Sequence, residues 1–559
     1  MLIKKYFKNL KKEFQNHKFT GLSFSTNDVQ KGFIFFCIKG NQVDGKKFIN
    51  KAIKNGAKTI ISDLKFEGYK NDVLFLKSRD TRELLSKIAS KIYNKKPKNL
   101  IAVTGTNGKS SIADFFFQIL KLNNKRVASI GTLGVNSKII KLKTINTTLD
   151  ALNLHKILEK LKNRKVENVI LEASSHGLKQ KRLNNIKFKM GIFTNLSRDH
   201  LDYHKTYNDY LNSKLILFNK LLKKNSIVIY DNEIQQSKIL KNIAKKKNLK
   251  TSIIGKNECD FSITGHNFFG NKQQVKFLHK RKEFYFETDL IGRLQINNLM
   301  MAIIAAYKSG IPMTQVIKSI RKIKSVNGRL QQIGNLKNNA KVILDYAHTP
   351  DALRKSLQSI KDQFKLRKIY VVFGCGGERD KKKRQIMGKI ANDFCDRIYL
   401  TDDNPRREDP KQIRKEIKKK INKSKLFEIP SRKKAIIKAI KDLKSGDILL
   451  VAGKGHETYQ EYYKRKFFSD KRCILKQLKI KNKNLFNDWK LNVLKDQIQL
   501  SNFNKNLKIN TASINSKIIN KNDIFFAIKG KNKDGNKYAD EALKKRASLA
   551  IVDRRTEKY

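Results

Sequence analysis

The sequence predicts an α/β protein of three domains with a partial fourth module appended, and three observations carry that reading. The chain has 559 residues, more than one hydrophobic core can organise, since single cores stop growing near ~250–300 residues. Short apolar runs repeatedly lead into glycine-bearing or Asp/Asn-bearing loops and then into helical stretches, the pattern of strands feeding a sheet edge that binds ligands. One of those loops, Gly105-Thr106-Asn107-Gly108-Lys109-Ser110-Ser111, follows the apolar Leu100-Ile101-Ala102-Val103-Thr104 and precedes an apolar helical stretch.

Residues 1–95 form the first unit. The β-like runs Gly32 to Ile38 and Thr59 to Ile61 flank a helical stretch around Phe48 to Lys54, which makes a small α/β domain. Between them Lys39 to Gly45 is a polar, glycine-bracketed loop, readable as a plain turn or a ligand loop. Lysines and Pro97 then break the pattern at Asn94 to Lys98, as a linker should.

The second unit, 96–328, contains the phosphate loop. Its glycines let backbone N–H groups turn inward, the helix N-terminus that follows favours an anion, and lysine neutralises the outer phosphates. Val103 stands where the general P-loop has its first glycine, so only the compact Gly-x-x-Gly-Lys-Ser form is present. A second strand, Val166 to Leu171, ends in Glu172-Ala173-Ser174-Ser175-His176. A third, Met190 to Phe193, leads into Thr194 to His204 with its two histidines and two aspartates, dense for a chain with nine histidines.

The third unit, 329–488, repeats the strand-to-loop pattern. Ile343-Leu344 opens into Asp345 to Asp351, Ile369 to Phe373 into Gly374 to Asp380, Ile398 to Leu400 into Thr401 to Arg406, and Asp447 to Val451 into Ala452 to Glu457. Such loops with complementary charges in one domain predict a doubly wound sheet with a binding edge.

Composition narrows the function class. Lys+Arg 122 against Asp+Glu 49 gives a formal net charge of +73, which by itself suggests a nucleic-acid or membrane-surface partner. The lysines run from Lys4 to Lys558 without gathering into an arm or stripe, so they are solvated faces and no specific nucleic acid is expected. Five scattered cysteines make neither a disulfide framework nor a zinc site. No apolar run approaches the ~18 residues of a membrane span, and a soluble, cytoplasmic protein is expected.

Together these segments resemble the Mur ligases, most closely the MurE type, over roughly residues 20–485. The motifs that carry the resemblance are the TGTNGKSS loop, EASSH from Glu172, TNLSRDHLDYH from Thr194, DYAHTPDAL from Asp345, GCGGERD from Gly374, DNPR from Asp403 and GKGHE from Gly453. The resemblance implies a UDP-binding first domain, a central ATPase domain and a Rossmann-like third domain that brings an amino acid. It implies ATP-dependent amide formation: a carboxylate of UDP-N-acetylmuramoyl-L-Ala-D-Glu takes the γ-phosphoryl group, and the amine of a diamino acid displaces phosphate. ATP and Mg²⁺ are the implied cofactors, and a monomer is expected.

By resemblance Lys109 holds the β/γ-phosphates, Ser110 binds a first Mg²⁺, and Glu172, His200 and Lys214 as a carbamate bind a second. The remaining loop residues Gly105, Thr106, Asn107, Gly108 and Ser111, with Asn298, Arg329 and Asp345, match the ATP site. Thr26, Asn41, Gln42, Val43, Asn146, Thr147, Thr148, Ser174, Gln180 and Arg182 match the UDP-substrate site. Arg379, Asp403, Asn404, Pro405, Arg406, Gly453 and Glu457 match the amino-acid site. This chain departs from the family pattern at Ser25-Thr26-Asn27, where an arginine is lost, at Leu149 for proline, at Glu378 for aspartate and at Gln295 for asparagine.

Arg406 offers a planar fork to a second carboxylate, so meso-diaminopimelate is the expected amino acid, with L-lysine the alternative. A folylpolyglutamate synthase-like ligase and a basic nucleic-acid-binding protein on a ligase scaffold are the other readings. Finally, Asp523 to Gly535 repeats Phe33 to Gly45 at a constant offset of 490. Residues 489–559 resemble the opening module of a MurF-type ligase. No second phosphate loop follows, so a complete second activity is not expected; the tail is either an appended unit or a docking module for a MurF-type partner.

Overall fold

The computed structural model describes residues 1–7, 9–40, 43–144, 146–256, 259–269, 272–487, 512–530 and 533–553. In the first domain the strands Gly21–Ser23, Phe33–Phe36, Ala57–Ser62, Val73–Lys77 and Gly68–Lys70 lie side by side in that order, all parallel but the last. Alternation sends Ile34, Phe36 and Ile61 to one face, beneath Leu85 and Ile88 of the helix Thr81–Ile92, and Phe35 and Ile60 to the other, beneath Ala52. That helix starts where it does because Asp80 accepts from the backbone of Glu83 at 2.9 Å.

The central domain is built on eleven strands. Its parallel core runs Val127–Gly131, Asn168–Glu172, Asn99–Thr104, Phe188–Phe193, Leu222–Asp231 and Lys250–Gly255. Asn99–Thr104 lies in the middle with every residue buried, which is why its sequence is a continuous apolar run instead of an alternating one. Helices Lys109–Leu122 and Arg293–Lys308 cover one face through Phe115, Phe116, Leu299 and Ile303. Ala151–Asn163 covers the other through Leu154, Leu158 and Leu161. The long antiparallel strands Phe261–Phe269, Lys272–His279 and Lys282–Thr288 extend the sheet; the sequence reading assigned no strands there.

The third domain orders its strands Gln331–Asn335, Lys341–Leu344, Ile448–Val451, Ile369–Phe373, Arg397–Leu400 and Leu426–Glu428, all parallel but the first. The four loops singled out in the sequence therefore leave neighbouring strands at one sheet edge. A fully buried pair, Arg432 Nη2 to Asp470 Oδ2 at 2.7 Å, ties the helix Arg432–Asp442 to the start of Asp470–Asn487. Removing one partner of such a pair strands a buried charge, at a cost of about 3–5 kcal/mol.

In the tail, Ala512–Ser513, Ile524–Phe526 and Leu549–Ile551 form a parallel three-stranded sheet with the helix Ala539–Lys544. The strand is shorter than the apolar run Ile524 to Ile528, and Ile528 is exposed. Among the described residues no helix is long and apolar enough to cross a membrane.

Candidate active site

The phosphate loop joins the central strand to the helix Lys109–Leu122. Gly108 has φ +93°, the left-handed region, and a side chain there would run into the Asn298 side-chain oxygen. The loop is pinned from the neighbouring strand end: Thr194 Oγ1 donates to the Asn107 carbonyl at 2.6 Å, and the Asn107 N–H donates to Asn195 Oδ1 at 3.1 Å.

Two lysines converge on this loop. Lys109 Nζ donates to the carbonyls of Gly105 and Thr106, each at 2.8 Å. Lys214, on the helix Tyr207–Ile216, is 1% exposed, lies over the Tyr210 ring and donates to the same Gly105 carbonyl at 2.8 Å. Burial lowers the pKa of Lys109, and burial together with Lys109 pushes that of Lys214 well below its ordinary value. Both lysines donate to carbonyl oxygens and not to carboxylates.

Glu172 ends its strand beside the loop. It accepts from Ser110 Oγ at 3.0 Å and from the Thr132 backbone at 2.8 Å, and Gly131 lacks the side chain that would overlap its carboxylate. Arg329 Nη2 reaches Ser110 Oγ at 3.3 Å, with its guanidinium 4.4 Å from the Tyr346 ring centre. His200 adopts a left-handed φ of 54° and donates its N–H to Asp199 at 2.8 Å. Burial holds its imidazole down to about 4, so the ring is neutral at neutral pH.

Asp199 and His200 also face the third domain across a cavity of about 350 Å³. On its far wall are Arg379, Asp403, Asn404, Arg406, Gly453 and Glu457. Arg406 donates to the Gly377 carbonyl at 2.8 Å and pairs with Glu461 at 3.3 Å. Gly453, at φ +111°, admits Asp403, since a Cβ there would lie 2.6 Å from Asp403 Oδ2. The domains meet through Arg379–Asp202 at 3.5 Å, Arg198–Asp380 at 3.8 Å and Asn107 Nδ2 to Asp351 Oδ2 at 3.0 Å.

A second cavity, about 770 Å³, opens between the first and central domains. Asn146, Gln180 and Arg182 line it with Phe24, Ile38 and Arg82, and Arg379 lines both cavities. Thr148 and Ser174 lie beside it in one hydrogen-bonded unit: their hydroxyls are 2.9 Å apart, and Arg182 Nη1 donates to the Thr148 carbonyl at 2.7 Å. Thr147 accepts from Thr132 at 3.0 Å. Thr26 and Val43 are not among the lining residues, and Asn41 and Gln42 lie outside the described residues.

Asp345 is buried and accepts from the backbone of Leu330 and Tyr346 and from Ser356, so in this structure it fixes the entry of the third domain. Pro405 sits buried in the Asp403–Arg406 turn. Sequence reasoning missed Thr132, Tyr346, Arg82 and Lys454. Lys454 and Tyr346 lay within the Gly-Lys-Gly-His-Glu and Asp-Tyr-Ala-His runs, but nothing along the chain set them apart from their neighbours there; for Thr132 and Arg82 no local signal exists.

Residues 103–306 match the Mur ligase middle domain, 328–455 the Mur ligase glutamate ligase domain, and 18–93 the Mur ligase family catalytic domain. A UDP-N-acetylmuramoyl-L-alanyl-D-glutamate--2,6-diaminopimelate ligase of Rickettsia montanensis is 43% identical over 84% of this chain and 98% of its own length. The chain belongs to the Mur ligase family. The Mur ligase of the same description from Brucella melitensis is 38% identical over 79% of this chain and 90% of its own. Among solved structures, a ligase of that description superposes with a TM-score of 0.63 at 31% identity, over 86% of this chain and 99% of that one. The MurF ligase of Thermotoga maritima in complex with ADP, 18% identical, has a TM-score of 0.58 over 84% of this chain and 99% of that one. A Mycobacterium tuberculosis folylpolyglutamate synthase, 13% identical, has 0.56 over 66% and 92%. These last two share the Mur ligase fold, which therefore does not choose between acceptors.

Proposed function

We propose that this chain joins meso-diaminopimelate to UDP-N-acetylmuramoyl-L-alanyl-D-glutamate at the expense of ATP, in the cytoplasm. The observation that carries the reading is the 350 Å³ cavity, where the phosphate-loop side of the central domain faces a wall able to hold an amino acid with two carboxylates. The similarity to ligases of that description supports the same substrates.

The residues suit the chemistry in turn. Lys109 and the loop N–H groups receive the phosphates of ATP, exchanging backbone carbonyl partners for anions. The acceptor carboxylate enters from the 770 Å³ cavity, oriented by Gln180, Arg182 and the Thr148–Ser174 pair, and attacks the γ-phosphorus. ADP leaves and an acyl phosphate forms. The amino acid is held by its far end, its distal ammonium at Glu457 and its second carboxylate at the guanidinium of Arg406, and its other amine then attacks the acyl carbon, losing a proton and expelling inorganic phosphate.

The donor set fits Mg²⁺. Ser110 would offer its hydroxyl to a first Mg²⁺, and Glu172 and the neutral imidazole of His200 would hold a second together with Lys214 after addition of CO₂ to its amine, which forms an N–C bond and releases one proton. A buried amine whose pKa is depressed is the neutral nucleophile that this addition requires. Among the described residues no three His, Cys, Asp or Glu side chains are placed to hold a metal ion by themselves. Mg²⁺ would offset the charge of the phosphoryl groups and acceptor carboxylate.

The test is ADP release and product mass with MgATP, the UDP-dipeptide and meso-diaminopimelate, run beside lysine and a folyl acceptor. Turnover should require the muramyl acceptor and prefer diaminopimelate. Ligation of the folyl acceptor instead, or salt-sensitive DNA binding without ADP release, would overturn the reading.

A further inference from the structure

Behind the amino-acid wall lies a buried cation that the proposed chemistry does not use. Lys454 has a fully buried side chain, and its Nζ donates to Asn404 Oδ1 and to Glu457 Oε2, each at 2.9 Å. Asn404 Oδ1 also accepts from the Glu461 N–H at 3.0 Å, while Asn404 Nδ2 turns to Glu457 Oε2 at 3.3 Å. Tyr346 donates to the other Glu457 oxygen at 3.3 Å. Asn404 and Glu457 face the cavity; Lys454 does not.

We infer that Lys454 is a positioning residue that sets amino-acid specificity, by fixing the Asn404 amide and the Glu457 carboxylate and by balancing buried negative charge. The inference rests on the proposed amino-acid site. Around that wall Arg432 is matched by Asp470, leaving Lys454 to face Glu457 and the nearby Asp403. The Lys454 cation offsets part of the negative charge that Glu457 and Asp403 present to the distal ammonium of the substrate, and Arg406, which lines the cavity while paired with Glu461, favours a second carboxylate. Neutralising Lys454 makes the wall more negative, which disfavours an extra carboxylate relative to an amino acid that has none. A residue that only supported the fold would weaken both amino acids alike.

The experiment compares kcat/KM for meso-diaminopimelate and L-lysine in the full chain, for wild type, Lys454→Met, Lys454→Gln and Lys454→Arg. Glutamine keeps hydrogen bonding without the charge, so it serves if the methionine variant does not fold. The diaminopimelate-to-lysine ratio should fall by about tenfold or more in the neutral variants. Arginine should restore most of the ratio, and the KM for ATP should stay within about twofold in every folded variant. An unchanged ratio in a folded neutral variant, or loss of the ratio with arginine as well, would overturn the inference. Failure of the wild type to ligate any diamino acid would instead sink the proposed function, so the two failures are distinguishable.

Discussion

The two walls of the 350 Å³ cavity handle buried charge in opposite ways. On the phosphate-loop side Lys109 and Lys214 both donate to backbone carbonyls. On the third-domain side Lys454 meets Glu457, Arg406 meets Glu461 and Arg432 meets Asp470, while Lys383 donates to the His348 carbonyl. Carbonyl-bound lysines give up their partners to an arriving anion at small cost, which suits a surface that must take up phosphates, CO₂ or an acyl phosphate. Paired ions are set in place and resist rearrangement, which suits a surface that discriminates. On the proposed function, one wall serves turnover and the other choice.

The comparison breaks most severely at Lys214. Lys214→Ala and Lys214→Arg should each lower kcat by about a thousandfold or more, because an anionic ligand is lost next to transferring phosphate. Lys214→Glu, which restores a carboxylate, should retain more activity than either. Equal ADP release from wild type and Lys214→Ala would remove the carbamate from the argument.

On the choosing wall the effect should be smaller and selective. Arg406→Ala should cost about 1–3 kcal/mol with diaminopimelate, read as a rise in KM, and much less with lysine. Parallel losses on both amino acids would mean that Arg406 only braces the Asp403–Arg406 turn.

A weaker effect concerns protons. Burial, reinforced by Arg329, holds His456, next to Glu457 in the chain, down to about 4. Its ordinary value is 6.5, so the unfolded chain binds this proton more readily than the folded one. The stability it contributes is intact above pH 6.5 and declines as pH falls from 6.5 toward 4. The acid-side fall in Tm across that window should be shallower in His456→Gln than in wild type; identical slopes would exclude His456 as a contributor.

The smallest effect is expected from the tail. It repeats the first domain, down to the bridge Lys529–Asp534 that mirrors Lys39–Asp44, and among the described residues it has three strands where the first domain has five. Its core, around Phe525 and Ala542, matches the first-domain cluster around Phe35 and Ala52. Truncation after Asn487 should leave kcat and both KM values within about twofold, since no catalytic side chain proposed here lies beyond Glu457. A large loss of activity or Tm would show that the tail is integral to the ligase, and retention by the tail of a MurF-type partner in a pull-down would favour docking.

Residues whose role is local were legible in the sequence. Gly108 and Lys109 announce a phosphate turn because strand, loop and helix are contiguous, and Asp403 to Arg406 stand out because they follow an apolar strand. Thr132 escaped notice because its contact with Glu172 joins residues forty apart, and Arg82 because it reaches a cavity whose other wall belongs to another domain.

The sequence alone determined the order of the α/β units, the chemistry of each loop and the duplication of the first module, because strand periodicity, turn residues and repeats are properties of neighbours along the chain. Only the tertiary structure decided that Lys214 and Lys109 share one carbonyl, that Arg379 lines two cavities, and that Lys454 stands unexposed behind Glu457. Charge acts through space and its strength depends on exclusion of water, so among so many lysines the few that matter are set apart by burial, which composition does not encode.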